Sequence, residues 1–319
     1  MLSRAMKPIL AASVLLAAIA AGAIDDRSAL VDHVVRLTRD SRWKHVASVR
    51  MNFRTFHPQG MVKIGSTLFV SSVEVRARTK MFPQPVDGFD RDAGEGASHL
   101  FKIDMSGNLI TDLKLGDGTV YHPGGLDYDG RNIWVPVAEY RPNSRAIIYR
   151  VDPATMQATE VLRVADHVGA VAFDTDNRSL HGVNWGSRRF YRWSVGPDLR
   201  MTNGSDRPKT APTLNTSHYV DYQDCKYVPK QKMLCTGVSE LRRAPDAVPF
   251  RLGGMELVDL ATGRPLHQVP VLLWTSDGLD MTHNAVWIEP TATGLRGYFM
   301  PEDDASTLYV YDVDTRPGR

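Results

Sequence analysis

The stretch that decides the fold is HPGGLDYDGRNIWVPVAE, residues 122–139. It consists of an apolar strand, a turn at Gly130 and a second apolar strand that ends in glutamate. The stretches that begin with HPQG at 57–60 and with HVGA at 167–170 continue in the same order of strand, turn and strand. Short apolar runs separated by Gly, Pro, Asp and Asn are typical of all-β proteins. Their recurrence predicts a chain of similar β units.

A third strand that ends in aspartate recurs as well. It is found as LFKID (100–104), IYRVD (148–152), MELVD (255–259) and LYVYD (308–312). A turn and usually a fourth strand come next, and four antiparallel strands in about 45–65 residues are typical of a β-propeller blade. Five such units begin near His57, His122, His167, His218 and Asp277. The sequence therefore predicts an all-β, five-bladed propeller.

The two ends of the predicted propeller complement each other. The last unit lacks a fourth strand, and an unassigned strand, KHVASVRMNF at 44–53, precedes the first unit. Pairing between them would close the ring without a free sheet edge, so we expect a propeller domain over 43–319. In the segment 24–42, Leu30, Val34, Val35 and Leu37 recur at helical spacing. This pattern predicts one amphipathic helix packed outside the propeller.

Residues 1–23 are typical of a secretory signal peptide. Arg4 and Lys7 precede an uncharged run at 9–24, and the small residues Ala21-Gly22-Ala23 suit a signal peptidase. The uncharged run is shorter than the roughly 18 residues of a membrane span, and no cysteine follows it directly. We therefore expect no membrane anchor, cleavage after Ala23, and a secreted or periplasmic protein.

The charge balance limits the class of partner. The chain has 38 Lys+Arg and 36 Asp+Glu, and without Arg4 and Lys7 of the predicted leader the two counts are equal at 36. Nucleic acids and anionic membranes bind net basic surfaces. We therefore expect no nucleic-acid partner. The expectation is a monomer whose partner is a small polar molecule or a protein.

The only two cysteines, Cys225 and Cys235, flank a turn-like segment, VPKQ at 228–231. A hairpin centred at residue 230 would place them opposite one another, where strand Cα atoms are about 4.5–5.5 Å apart. In an oxidising compartment such a pair forms a disulfide. The alternative is two buried thiols.

A spacing of 17 residues links an opening histidine to a strand-ending polar residue in three units. Because the midpoint of each pair falls in a turn, the two members should face each other across a hairpin at one mouth of the channel. In unit four the position of the opening histidine could be taken by His218, Asp221 or Asp224, and in unit five by Asp277, Asp280 or His283. The second strands of these units end at Glu240 and Glu302. The candidate ligand-binding residues are therefore His57, Glu74, His122, Glu139, His167, Asn184, His218, Glu240, His283 and Glu302.

Three interpretations of these pairs stay open. One divalent metal ion could bind to His57, His122, His167 and His218, with glutamates as ligands or orienting groups. The pairs could instead bind a substrate or transfer protons without a metal, or they could be structural latches. Two functions correspond to these interpretations. One is a metal-assisted hydrolase or lyase acting on a lactone or carbohydrate, and the other is a non-catalytic propeller that binds a ligand or a protein.

Other features around the predicted mouth are weaker. Arg76, Arg141, Arg188 and Arg242 follow the second strands and could form a basic lip, and Trp185 could stack on a sugar. The long polar loop at 76–98 could cover the site. The motifs of serine hydrolases, nucleotide-binding loops and thioredoxin-like proteins are absent from the sequence.

The segment HPGGLDYDGRNIWVPV, with IIYRVDP at 147–153, resembles the repeats of NHL-type and gluconolactonase-like propellers. The whole chain also resembles a family of secreted bacterial propellers that has no assigned function. The resemblance of the repeats covers residues 43–315 and implies the fold. Gluconolactonase-like proteins bind a divalent metal through Glu, Asn and Asp residues in a six-bladed ring. Histidines open the inner strands here and five units are counted, so that ligand set does not transfer.

The leader generates the first prediction. Protein secreted by an expressing bacterium should begin at Ile24, because the peptidase recognises the small residues that end at Ala23. N-terminal sequencing and intact mass measure this directly. A soluble exported protein that keeps residues 1–23 would contradict the prediction.

Overall fold

A computed structural model shows the chain as a five-bladed β-propeller, which confirms the predicted fold class. The structure describes residues 27, 29–201, 213–244 and 247–316. The predicted signal peptide and residues 24–26 lie outside the described residues.

Each blade is one antiparallel sheet whose first strand is nearest the axis. Strand β1 (Trp43–Arg50) precedes the blades. Blade 1 contains β2 (His57–Ile64), β3 (Thr67–Ala77), an inserted hairpin of β4 (Met81–Val86) and β5 (Phe89–Arg91), then β6 (Glu95–Asp104) and β7 (Leu109–Leu115). Blade 2 contains β8 (His122–Pro123) and β9 (Asp127–Tyr128) as its inner strand, then β10 (Ile133–Ala138), β11 (Ala146–Val151) and β12 (Ala158–Val164).

Blade 3 contains β13 (Val168–Asp174), β14 (Ser179–Asn184), a 3₁₀ turn at Trp185–Ser187, β15 (Arg189–Ser194) and β16 (Thr213–Leu214). Blade 4 contains β17 (Asp221–Val228), β18 (Lys232–Leu241), β19 (Phe250–Asp259) and β20 (Pro265–Val271). Blade 5 contains β21 (Ala285–Pro290), β22 (Gly294–Met300) and β23 (Thr307–Asp314).

The ring closes as the sequence predicts. Strand β1 pairs antiparallel with β23, from Trp43 opposite Val313 to Arg50 opposite Thr307. The strand ends at Arg50 rather than at Phe53. Blade 5 therefore receives its fourth strand from the N-terminal part of the chain, and its outer edge is paired.

Burial along the strands follows from their position in a blade. Strand β10 is buried at every residue, because each face of a blade packs against a neighbouring blade. The outer strand β12 is mostly exposed in its first half. Between blades 2 and 3, Trp134 and Phe173 stack with ring centroids 4.7 Å apart. Apolar packing of this kind is the main force that holds neighbouring blades together.

At the axis the inner strands approach to backbone contact. The Gly125 N–H donates to the Gly169 carbonyl at 2.9 Å, and the Val171 N–H donates to the Gly125 carbonyl at 3.1 Å. A Cβ atom on Gly124 would lie 2.0 Å from the Gly169 oxygen, so only glycine fits there. This contact divides the axis into a top mouth, where the inner strands begin, and a bottom mouth, at the turns that follow them.

The carboxylate of Asp127, which is fully buried, joins three blades at the axis. It accepts hydrogen bonds from the backbone N–H groups of Tyr128 (2.8 Å), Phe173 (2.9 Å) and Tyr227 (3.0 Å). These donors belong to blades 2, 3 and 4. Arg27 approaches the same carboxylate to 4.0 Å and donates to the Tyr128 and Tyr227 carbonyls.

The N-terminal helix is shorter than predicted. Residues 27 and 29–34 are helical, and 35–42 form turns that lead into β1. Beyond the helix, the hydroxyl oxygens of Ser41 and Thr38 accept hydrogen bonds from the Thr38 and Asp40 N–H groups, which favours turns over a continued helix. Leu30, Val34 and Leu37 are buried against blades 4 and 5, whereas Val35 points outward with 46% of its surface exposed.

The predicted disulfide is present. Cys225 and Cys235 lie directly opposite each other on β17 and β18, and both are fully buried.

Asp127 generates the second prediction. Asp127→Ala should lower the free energy of unfolding by at least about 3 kcal/mol, because three buried N–H groups lose their acceptor. Urea denaturation followed by circular dichroism measures the change. Asp117→Ala is the control: its side chain is 64% exposed and pairs only with Arg163, so the expected change is within about 0.5 kcal/mol. Equal stabilities of the two variants would contradict the role given to Asp127.

Candidate functional site

The predicted facing pairs do not form. His57 lies opposite Val73, and His122 lies opposite Ala138, one residue short of the predicted partners. The reason is an irregularity that shifts the register by one residue near the axis. It falls between Pro58 and Gly60 in β2, and it recurs in the inner strands of blades 2, 3 and 4. The prediction assumed that residues equidistant from the hairpin turn face each other. A bulge adds one residue to one strand and so removes this symmetry.

The strand-ending acids bind arginines instead of histidines. Glu74 pairs with Arg76 at 2.8 Å, Glu139 with Arg141 at 2.7 Å and Glu240 with Arg242 at 2.6 Å. Asn184, their counterpart in blade 3, donates to Asp166 and accepts from the Arg189 N–H. In these blades the glutamate side chains therefore pair with arginines rather than with the predicted histidines. The predicted basic lip is neutralised within each of these three blades.

Glu139 is the most buried of these acids, with 1% of its surface exposed. It accepts hydrogen bonds from Arg141 (2.7 Å), Thr119 (2.5 Å) and Arg145 (2.8 Å). Burial alone would raise its pKa, but these donors outweigh burial and the pKa is lowered. The side chain is thus held as a carboxylate with its oxygens occupied.

An aromatic cluster lies at the top mouth between blades 2 and 3. The His122 ring stacks on Tyr140 with centroids 4.3 Å apart, and it lies 6.4 Å from the His167 ring. His167 donates from Nδ1 to the Glu139 carbonyl oxygen at 2.9 Å and meets Trp185 edge to face at 4.9 Å. We name His122, Tyr140, His167 and Trp185 the mouth cluster.

The hairpin β4–β5 covers this cluster. The Arg91 guanidinium lies 5.3 Å from the centre of the Trp185 ring, and the Arg141 guanidinium lies 3.5 Å from the centre of the Phe89 ring. Arg141 also donates to the Arg91 carbonyl at 3.5 Å. The segment predicted as a loop thus contains two strands, and it contacts the mouth as expected of a cover.

The remaining candidates separate into two groups. His57 and His283 are brought together through Asp303, which also accepts a hydrogen bond from Asn284, the neighbour of His283. His57 donates to Asp303 at 2.7 Å. His218 is exposed and pairs with Arg188, and Glu302 accepts from Thr307 and Tyr309 within blade 5.

The buried histidines are neutral at pH 7. Burial lowers the pKa of His167 and of His283 to about 4, and it lowers the pKa of His122 well below the ordinary value. Within the described residues, His122 Nε2, His283 Nδ1 and Asn284 Oδ1 are buried and have no hydrogen-bond partner. Unpaired buried polar atoms are costly unless a ligand or water satisfies them.

The geometry does not favour a metal centre. Across the part of the chain that the structure describes, no group of three or more His, Cys, Asp or Glu side chains could hold a metal ion. Metal binding stays a prediction.

Sequence reasoning missed Tyr140, Arg91, Asp303 and Asn284. A signal for two of them was present, because Tyr140 directly follows Glu139 and Asp303 directly follows Glu302 at the strand ends. Arg91 had no such signal, because its approach to Trp185 depends on how the hairpin folds back.

The sequence profile of DUF6454, a family of unknown function, matches residues 15–317. The chain belongs to this family. A search of curated protein sequences found no match. The predicted resemblance to a family without an assigned function is thereby supported, whereas NHL-type and gluconolactonase-like repeats are not shown.

Solved structures similar to this DUF6454 protein have low sequence identity to it. Hydrazine synthase from Kuenenia stuttgartiensis is 12% identical, with 79% of this chain and 58% of that chain covered and a TM-score of 0.37. A luciferin-regenerating enzyme is 11% identical, with 86% and 97% covered and a TM-score of 0.45. The β-propeller domain of the Trilobed protease from Pyrococcus furiosus is 11% identical, with 82% and 71% covered and a TM-score of 0.31. These similarities carry no argument about activity or ligand.

His167 generates the third prediction. Its folded-state pKa of about 4 lies below the unfolded value, so its contribution to stability is complete above about pH 6.5 and is lost as the pH falls toward 4. His167→Gln keeps a hydrogen-bond donor but does not titrate. Between pH 7 and pH 4.5, the unfolding free energy of wild type should therefore fall by about 2–3 kcal/mol more than that of the variant. Urea midpoints at pH 7, 5.5 and 4.5 measure this. His45→Gln, at an exposed site on β1, should keep the wild-type pH dependence; the same dependence in His167→Gln would contradict the prediction.

Proposed function

We propose that this protein is a non-catalytic binding propeller that holds a small, uncharged polar ligand at the mouth cluster. The observation that carries the proposal is His122. Its ring is 93% buried and stacked on Tyr140, yet its Nε2 atom has no partner among the described residues. A neutral imidazole donates or accepts one hydrogen bond at this atom, which suits a hydroxyl or carbonyl group of a ligand.

The charges around the mouth support an uncharged ligand. The acids Glu74, Glu139 and Glu240 are paired with arginines, and His57 is paired with Asp303. The buried histidines carry no charge at pH 7. Because the acids and arginines named here are already paired, a charged ligand would lose its hydration without gaining a counter-ion from them. A lactone or carbohydrate fits these requirements, and Tyr140 and Trp185 offer ring faces for it.

The metal-assisted hydrolase or lyase is the competing proposal. It requires a divalent ion at histidines that the geometry does not bring together, and an acid free to act, whereas Glu139 is occupied by two arginines. Metal content of protein purified without a metal-affinity tag distinguishes the two proposals. One equivalent of bound metal would favour the enzyme, as would hydrolysis of a lactone above its spontaneous rate.

We also propose that the protein acts as a monomer in the periplasm or outside the cell. The disulfide supports an oxidising compartment. No helix among the residues that the structure describes is long and apolar enough to span a membrane.

The ligand site generates the fourth prediction. Calorimetric titration with methyl β-D-glucoside, freshly dissolved gluconolactone and gluconate should show binding of a neutral compound and none of the anion. His122→Phe keeps the ring and its stacking but removes Nε2, so affinity should fall about 10-fold, the value of one hydrogen bond. His181→Phe is the matched control, because this histidine is equally buried but lies in the middle of β14. Equal losses in both variants, or preferential binding of gluconate, would contradict the proposal.

A further inference from the structure

The bottom mouth of the channel opens into a separate cavity of about 920 Å³. Its rim includes the turns at Gly65, Gly130 and Pro229, and Arg27 and Leu30 of the N-terminal helix line it as well. The backbone contacts of Gly124 and Gly125 with blade 3 lie between this cavity and the mouth cluster. The volume is within the range of small-molecule sites, and the cavity is independent of the ligand site proposed above.

The wall of the cavity is mostly apolar and partly aromatic. The aromatic residues on it are Tyr128, Tyr227 and Trp287, and aliphatic side chains such as Ile64 and Ile288 complete the surface. Side chains of this type bury the flat, apolar body of a ligand and contribute most of its binding free energy.

The deep end of the cavity holds one polar pair, Lys226 and Asp224. The Asp224 side chain is 1% exposed and accepts from the Met61 N–H at 2.8 Å. Lys226 donates to the Leu126 carbonyl at 2.6 Å and to Asp224. An ammonium group has three N–H donors. Among the described residues, Leu126 and Asp224 accept two of them, so one remains for a ligand.

The charges around this end balance. Lys226 pairs with Asp224, Arg27 lies beside Asp127, and at the rim Lys63 pairs with Glu289 at 2.9 Å. At the deep end a charged ligand would find these charges already paired, whereas a neutral oxygen acceptor would satisfy the remaining Lys226 donor. We propose that the cavity is a second binding site, for an uncharged, mostly apolar aromatic molecule with one oxygen acceptor that binds to Lys226.

Four naphthalene probes with the same apolar body test this proposal by calorimetry. They are 2-acetylnaphthalene, 2-ethylnaphthalene, which lacks the carbonyl oxygen, 2-naphthoate and 2-(aminomethyl)naphthalene. The ketone should bind about 10-fold more tightly than 2-ethylnaphthalene, the value of one hydrogen bond. Both charged probes should bind more weakly than the ketone. Equal affinity of the ketone and 2-ethylnaphthalene, or no binding of either up to their solubility, would overturn the proposal.

Two sets of variants locate the binding. Ile64→Trp adds bulk to the cavity wall and should weaken binding of the ketone at least 10-fold. Ile110→Trp is the matched control, because Ile110 is on the outer strand β7 with 52% of its surface exposed, and it should bind as wild type does. The double variant Asp224→Asn/Lys226→Met removes the donor without leaving a lone buried charge, so the preference for the ketone should disappear.

If the double variant does not fold, the Ile64 and Ile110 variants and the probe series still decide the outcome. Unchanged binding in Ile64→Trp would place the probes elsewhere on the protein and overturn the proposal. A folded double variant that keeps the 10-fold preference for the ketone would overturn the role of Lys226.

Discussion

At the centre of the propeller, one buried carboxylate joins three separate sheets by hydrogen bonds. Asp127 accepts N–H groups from blades 2, 3 and 4, and Arg27 of the N-terminal helix lies beside it. Most other contacts between blades are made by apolar side chains, which pack without a fixed register. The directional hydrogen bonds of Asp127 set the heights of three inner strands relative to one another. Both mouths of the channel depend on that alignment.

The repeated bulge in the inner strands has the larger consequence for the chemistry of the top mouth. Near the axis, glycines at 60, 124 and 125 allow backbones from different blades to touch. The shift of one residue that accompanies this contact moves His57 and His122 out of register with Glu74 and Glu139. The acids then pair with arginines two residues further on. What remains at the mouth is a set of neutral imidazoles and aromatic rings.

The two mouths therefore differ in kind. The top mouth presents the unpaired His122 Nε2 beside Tyr140, together with Trp185 under the β4–β5 hairpin. The bottom mouth presents an apolar cavity with a single lysine donor at its deep end. At each mouth, the acids and bases named above pair with one another. This pairing at both ends makes uncharged molecules the most suitable ligands for this fold.

The sequence by itself determined the blades, the closing strand and the disulfide, because strand periodicity and the symmetry of a turn are local properties of the chain. It also placed His122 and His167 at the mouth. Only the tertiary structure decided which side chains meet. The bulges, the role of Asp127, the cover of Arg91 over Trp185 and the cavity at Lys226 all arise where segments far apart in sequence approach one another. No spacing along the chain encodes those approaches, since they depend on how neighbouring blades pack around the axis.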